Sequence, residues 1–310
     1  MVLGALPRLM KTTRVRDGLW MAIGVVLLAT TRPYEGLLLC LPVAVMLAHW
    51  IFAGTKRPAM RVLAWRAALP VALIVAAGMG MARYDFRAFG NLLTLPYTVD
   101  RTTYAMAPYF VWQSARPEPA YRHAVMRSFY HRGELDVFEQ IHTPFGFFPM
   151  TFIKGLRGLL FFSGIALLPP LIMLRRVLLD RRIRFLVQCV LVLAAGMLIE
   201  IFMIPHYLAP FMAAFYGIGL QAMRHLQVWK PSGQPVGAGL VRLLVTGCFV
   251  LACMRLYAAP LHIRITKWPP SELFSEWYGP GHFGTARARI ESNLEQKAGG
   301  NLAIVRYSAN

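Results

Sequence analysis

Acidic residues are scarce in this chain: 14 Asp plus Glu stand against 33 Lys plus Arg in 310 residues, and both signs together make up only 15% of it. Soluble domains carry roughly 25% charged and about 45–50% apolar residues, whereas this chain is 57% hydrophobic. That argues against a single water-soluble core. A net charge of +19 would point to nucleic acid in a polar protein, but these cations are interleaved with apolar runs too long for a soluble fold, so no nucleic-acid partner is expected. Cysteine is sparse as well. Cys40, Cys189, Cys248 and Cys253 all lie inside apolar runs without a C-x-x-C pair, which implies neither a disulfide framework nor a zinc site. G-x-x-x-x-G-K, G-x-G-x-x-G, G-x-S-x-G and H-E-x-x-H are missing. Nucleotide, dinucleotide, acyl-serine and zinc-peptidase chemistry therefore lack support, and no cofactor or metal is expected.

What the chain has is apolar length. About 20 apolar residues cross a bilayer, and the runs 36–53, 67–83, 156–174, 185–204, 206–223 and 240–258 meet or approach that. A shorter run, 18–30, has the basic approach of a signal peptide, but no small-residue cleavage site precedes the polar Thr31-Arg32-Pro33-Tyr34-Glu35. Counted as a helix, it makes about seven transmembrane helices.

Cations in short loops mark the cytoplasmic side. Segments 1–17, 54–66, 175–184 and 224–242 carry four, four, five and three Lys or Arg, sixteen in all, against Arg32 alone in the opposite short loops. The alternation places the N-terminus in the cytoplasm. The first hairpin, segment 84–155, the turn at His206 and the C-terminal tail then lie on the extracytoplasmic side.

The spacing of Ala72, Ala76 and Gly80 predicts close helix packing and an interior helix at 67–83. Pro169 and Pro170 inside 156–174 predict a kink, with the freed carbonyls met by a neighbouring helix or by water in a cavity. Residues 84–155 are too many for a simple connector and read as a large helical loop. Within it, Tyr121, Val125 and Phe129 recur every fourth residue, with Arg122, Arg127 and Arg132 elsewhere on the turn. This fits a helix lying in the membrane interface or one packed on its own domain.

The chain divides into a transmembrane domain, 1–258, and an outer tail, 259–310. The tail reads as small and α/β: a helix capped at Ser271, another from Thr285 to the Gly299-Gly300 stop, and a strand over 301–307. An unpaired strand so near the end implies either that another part of the outer region pairs with it or, the favoured reading, that the natural chain continues.

Polar residues near the outer face are the candidates for function. Glu200 lies late in its run, where an acid is costly, and serves either a cavity or a polar contact between helices. His206 and Tyr207 follow Pro205 and can donate to a phosphate or a sugar hydroxyl, or simply anchor the interface. Arg32, Tyr34 and Glu35 form the first outer hairpin. Arg32 offers a planar fork for phosphate, with neutralisation by Glu35 as the alternative. Glu134 and Asp136 form an acidic pair of the kind common on solvated surfaces, and His123, His131 and His142 are too scattered for metal ligands.

Thr-Thr-Arg-Pro-Tyr-Glu-Gly at 30–36, Leu-Pro-Tyr at 95–97, Trp-Gln-Ser-Ala-Arg-Pro-Glu-Pro at 112–119 and Pro-His-Tyr-Leu-Ala-Pro at 205–210 resemble the later portion of bacterial GT-C type membrane glycosyltransferases, kin of the dolichyl-phosphate-mannose protein mannosyltransferases. The resemblance implies a polyprenyl-phosphate sugar donor, transfer on the extracytoplasmic face, and substrate binding by Arg32, Tyr34, Glu35, Glu200, His206 and Tyr207. In that family the catalytic carboxylate sits in the first outer loop. Here that loop has no Asp, so the resemblance implies that the opening helices precede Met1, that Glu35 does not inherit the catalytic role, and that no catalytic residue is assigned. The alternatives are a non-catalytic or degenerate membrane subunit and, third, a transporter, for which inverted repeats are lacking.

Overall fold

The computed structural model describes residues 1–54, 58–164, 167–258, 285–297, 299, 300 and 302. Among them the chain is all-α, without a strand, and it is a multi-pass membrane protein by the length and composition of its helices. Four helices can cross a bilayer, Pro33–Ala53, Met60–Phe89, Phe145–Ser163 and Val236–Met254, and a bent pair, Pro169–Leu179 with Arg184–Ile199, raises the number to five. The expected runs 18–30 and 206–223 become helices of 17 and 16 residues, shorter than a full crossing.

Helix α1 (Val2–Thr12) buries Val2, Ala5 and Leu6, an i, i+3, i+4 face. It folds back along α2 (Val15–Thr31) through Thr13 in the left-handed conformation, φ 50°. The turn is tied down at both sides: Arg66 donates to the Thr13 carbonyl and hydroxyl, and buried Asp17 accepts from Thr12 at 3.1 Å with Arg8 at 3.6 Å. Proline at N1 starts α3 (Pro33–Ala53) one residue after α2 ends. This tight corner needs Gly36, because a Cβ there would lie 2.8 Å from the Leu28 Cβ and 3.2 Å from its backbone.

Helix α4 (Met60–Phe89) packs on α2 along a seam that buries Pro70 and Asp85. Here the sequence expectation is overturned. Ala72, Ala76 and Gly80 lie on the exposed side, and a Cβ added to Gly80 would meet nothing within 4 Å. Small residues permit close approach without compelling it. The opposite face, through Ala67, Pro70, Ala77 and Asp85, is the one that is partly or wholly buried.

The outer segment folds as α5 (Pro96–Tyr104), α6 (Ala124–Arg127) running into a π-helical stretch Ser128–Leu135, and α7 (Asp136–Ile141). Met106, Ala107, Leu135, Phe138, Ile141 and Ile201 form its core. Buried Arg101 ties the loops together: it pairs with Glu134 at 2.5 Å, donates to the Ala107 carbonyl, and lies 4.8 Å from the Tyr109 ring centroid. Burial raises the Glu134 carboxyl above the ordinary glutamate range although Arg101 opposes the shift. Glu134 is thus a structural partner, not half of an acidic pair with Asp136. Tyr121 precedes the helix expected to carry it and donates to the Tyr104 carbonyl at 2.6 Å, while Val125 and Phe129 are exposed.

Helix α8 (Pro144–Ser163) begins twelve residues before the expected run and stops at Gly164, φ 56°. A 3-10 turn, Pro169–Met173, then leads into α9 (Leu174–Leu179), so the expected span 156–174 is broken rather than kinked. The α8 end is met by a neighbour: Tyr216 donates to the Phe162 carbonyl at 3.0 Å. After α9 the chain turns at Asp180 into α10 (Arg184–Ile199), the two bent by 109°. A second 3-10 turn, Pro205–Phe211, precedes α11 (Met212–Gln227), because Pro205 and Pro210 delay the α-helical ladder. Helix α12 (Val236–Ala258) packs on α11. In the tail, α13 (Thr285–Glu295) forms where expected; the Ser271 helix lies outside the described residues, as does the strand 301–307 except for Leu302.

Two tests follow. Gly36→Val should destabilise the protein by about 1–3 kcal/mol through overpacking, while Gly80→Ala should leave its melting temperature in detergent unchanged; equal effects would contradict the assigned helix seams. At the other corner, Asp180 accepts from the Arg182 amide, Gln221 and His225 at 2.9, 2.6 and 3.2 Å, and the Arg182 amide first, then the side chains, hold its carboxyl below the ordinary range. The unfolded chain then binds the proton more readily than the folded one, so this stabilisation is complete above about pH 4 and disappears as pH falls through the lower folded value. The melting-temperature gap between wild type and Asp180→Asn should persist at neutral pH and close below about pH 4. A gap that does not change across that range would sink the assignment.

Candidate functional site

The C-terminal end of α10 is where the elements converge. A helix end leaves carbonyls without partners, and in apolar surroundings each must find one. Tyr34 from α3 donates to the Gly196 carbonyl at 2.9 Å. Lys154 from α8 donates to the Met197 and Glu200 carbonyls at 2.8 and 2.6 Å. The outer segment supplies the Val111 amide to Ile199 at 3.0 Å, and Ile201 returns a bond to the Tyr109 carbonyl at 2.8 Å, an isolated antiparallel bridge between Phe110 and Glu200.

These bonds gather all six residues named from the sequence at one end of the bundle. Glu200 is only 5% exposed and Glu35 only 4%. The charges acting on Glu200 are Glu35, Lys154 and Arg32. Its Oε2 is buried without a hydrogen-bond partner, although buried polar atoms are almost always paired. Arg32 does not pair with Glu35; its guanidinium lies 3.6 Å from the Tyr207 ring centroid, and among the described residues no carboxylate stands within ion-pair distance of it. His206 is exposed, with its ring against that of Tyr207 at 4.8 Å.

The outer segment walls this cluster with aromatics. The Phe110 ring lies 5.3 Å from Tyr34 and is stacked on Trp112 at 4.7 Å, and Tyr97 meets Tyr109 edge-on at 6.1 Å. Burial pushes the Tyr109 hydroxyl up to about 12, so it remains a neutral donor. Leu-Pro-Tyr at 95–97 thereby brings its tyrosine to the wall, at the start of α5.

The result is graded in polarity. A cation, an imidazole and a phenol stand toward the open side, and two buried carboxylates with Lys154 stand beneath. Such a set can hold an anion at Arg32 and His206 while Glu200 accepts from a hydroxyl. The sequence alone does not mark Lys154, because the apolar run begins at 156 and leaves it among the cations of a loop. The helical spacing of α8's apolar residues back to Phe145 was the signal available. His142 is engaged elsewhere, between the Phe138 and Val111 carbonyls at 2.7 Å each, and Glu134 belongs to Arg101.

No family model, curated protein or solved structure matches the chain.

Lys154 is the sharpest structural test of the site. Lys154→Met removes the donor to both carbonyls and a cation acting on Glu200, and should cost about 1–3 kcal/mol. Lys154→Gln keeps a donor and should recover part of that loss in thermal unfolding. Wild-type melting of Lys154→Met would remove the residue from the architecture of the site.

Proposed function

We propose that the chain is a membrane glycosyltransferase, or the later part of one, that moves a sugar from a polyprenyl-phosphate donor to an acceptor on the extracytoplasmic face of the inner membrane. In this reading α2 and α11 cross the bilayer with the longer helices, giving seven crossings. The N-terminus is cytoplasmic, and the site and tail lie outside. The charge count supports that sidedness: the basic short loops belong to the end opposite Arg32 and His206.

The observation that carries the reading is the Arg32 guanidinium on the Tyr207 ring, beside His206 and with no carboxylate within ion-pair distance among the described residues, at the end of the bundle where the buried Oε2 of Glu200 lacks a hydrogen-bond partner. Arg32 and His206 bind the lipid phosphate and stabilise the charge that develops on it as the sugar departs. Tyr207 fixes the guanidinium plane, and Glu200 accepts a hydroxyl of the sugar. In the transfer, an acceptor hydroxyl attacks the anomeric carbon, the bond from that carbon to the phosphate oxygen breaks, and the hydroxyl proton passes to a general base. Neither Glu35 nor Glu200 is assigned as that base.

Mass spectrometry of lipids co-purifying with the chain should find a polyprenyl phosphate, depleted on the order of tenfold or more in Arg32→Ala, the loss of one charge-assisted hydrogen bond. Membranes bearing the protein should transfer sugar from the lipid-linked donor, with lower rates for Arg32→Ala and His206→Ala. Retention of the lipid without transfer would favour a non-catalytic membrane subunit. Wild-type lipid content and rates in both variants would remove these residues from the mechanism.

A further inference from the structure

The end of the bundle remote from this site carries a second feature. A groove of about 450 Å³ opens along α11 and α12, with Leu220, Met223 and Val241 as its apolar lining and Gln221, Arg224 and Gln227 as its polar one. On α11 these polar residues recur at i, i+3 and i+6, near enough for one helical face. Gln221 is 7% exposed, and its two ends are committed: Nε2 donates to Asp180 at 2.6 Å, and Oε1 accepts from Arg224 at 3.3 Å. Arg224 is therefore held at the groove by a buried amide that is itself anchored to the α9–α10 corner. No carboxylate lies within ion-pair distance of Arg224 among the described residues.

The surroundings repeat that sign. Segments 175–184 and 224–242 contain eight Lys or Arg and one acid, Asp180. The same Asp180 contacts bring the two segments together, and Met173, Val177, Ile183, Ala222 and Leu226 pack beneath them. A positive, apolar-walled groove between two helices at the rim of a membrane bundle matches one ligand chemistry, a phosphate ester carried on acyl chains.

We propose that the groove between α11 and α12 binds an anionic phospholipid, its phosphate on Arg224 and Gln227 and its acyl chains along Leu220, Met223 and Val241. The inference rests on this groove and the basic loops; it does not depend on the proposed glycosyl transfer or on the Arg32 site.

The test uses the full chain, delipidated in a neutral detergent, with thermal unfolding followed as lipid is titrated in. Phosphatidylglycerol should raise the melting temperature saturably, phosphatidylcholine should raise it far less, and glycerol phosphate should have no effect at the same concentration. Arg224→Gln should weaken the apparent affinity for phosphatidylglycerol about fivefold, the worth of one surface cation, and added salt should reduce the wild-type response. Arg122→Gln, in the outer segment, should respond as wild type. If Arg224→Gln does not fold, Leu220→Trp at an exposed position fills the groove and should abolish the phosphatidylglycerol response. Equal stabilisation by phosphatidylcholine, a response to glycerol phosphate alone, or an undiminished response in a folded Arg224→Gln or Leu220→Trp variant would overturn the proposal.

Discussion

The carbonyls at the end of α10 have no partners within their own helix, and the apolar surroundings of the bundle offer no water to replace them. An unmet backbone group in such a medium costs several kcal/mol, so three pieces of chain remote from α10 in sequence are drawn to its end. Tyr34 comes from the second hairpin helix, Lys154 from α8, and Val111 and Tyr109 from the outer segment. The candidate site is assembled by this requirement. Arg32 and Glu35 flank Tyr34 on the chain, and Glu200 is the residue at which α10 gives way to the extended backbone bridged to Phe110. Satisfying the helix end therefore fixes the positions of the charged groups as a consequence.

The same requirement explains why two acids tolerate burial side by side. Glu35 and Glu200 repel each other, and each has left water, an arrangement that needs compensating cations. Lys154 supplies one from below, while Arg32 acts from the open side without closing an ion pair. Had Arg32 paired with Glu35, the hairpin would have neutralised itself and left Glu200 alone with Lys154. Its place on the Tyr207 ring keeps a cation facing outward. Among the described residues, the unpartnered Glu200 oxygen is then a buried polar atom of the floor for which the surrounding helices provide nothing.

The apolar runs were legible because about 20 residues of hydrocarbon are hard to disguise, and the helices fall near most of the expected stretches. Local sequence was less informative about where helices stop. Gly164 in a positive-φ conformation and the Pro169-Pro170 pair break the fourth expected span, while Lys154 makes its true beginning read as loop. Helix faces were harder still. Ala72, Ala76 and Gly80 obey the spacing of a packed interface, yet the partner α2 is met by the opposite side of α4, which periodicity alone does not choose. The six polar candidates lay near predicted span ends and share one end of the bundle in the structure. Lys154 and the Tyr97, Tyr109 and Phe110 wall depend on contacts across tens of residues. Their aromatic density was visible in the sequence; their positions were not.

The two ends of the bundle solve the problem of broken helices by opposite means. At the Arg32 end, neighbours donate to free carbonyls, which leaves acids exposed to one another and creates a demand for outside hydrogen bonds. At the other end, Asp180 accepts the amide of Arg182 and gathers Gln221 and His225, so a single acid closes the α9–α10 corner and pins it to α11. That acid is consumed by the fold, and among the described residues no other carboxylate stands within ion-pair distance of the surrounding arginines. Charge imbalance at each end thus follows from how its helix terminus is satisfied. Because α10 runs from one terminus to the other, a change in either set of bonds acts on a helix shared by both, and the short packed contact at Gly196 beneath Leu38 leaves that helix little room to shift independently of α3.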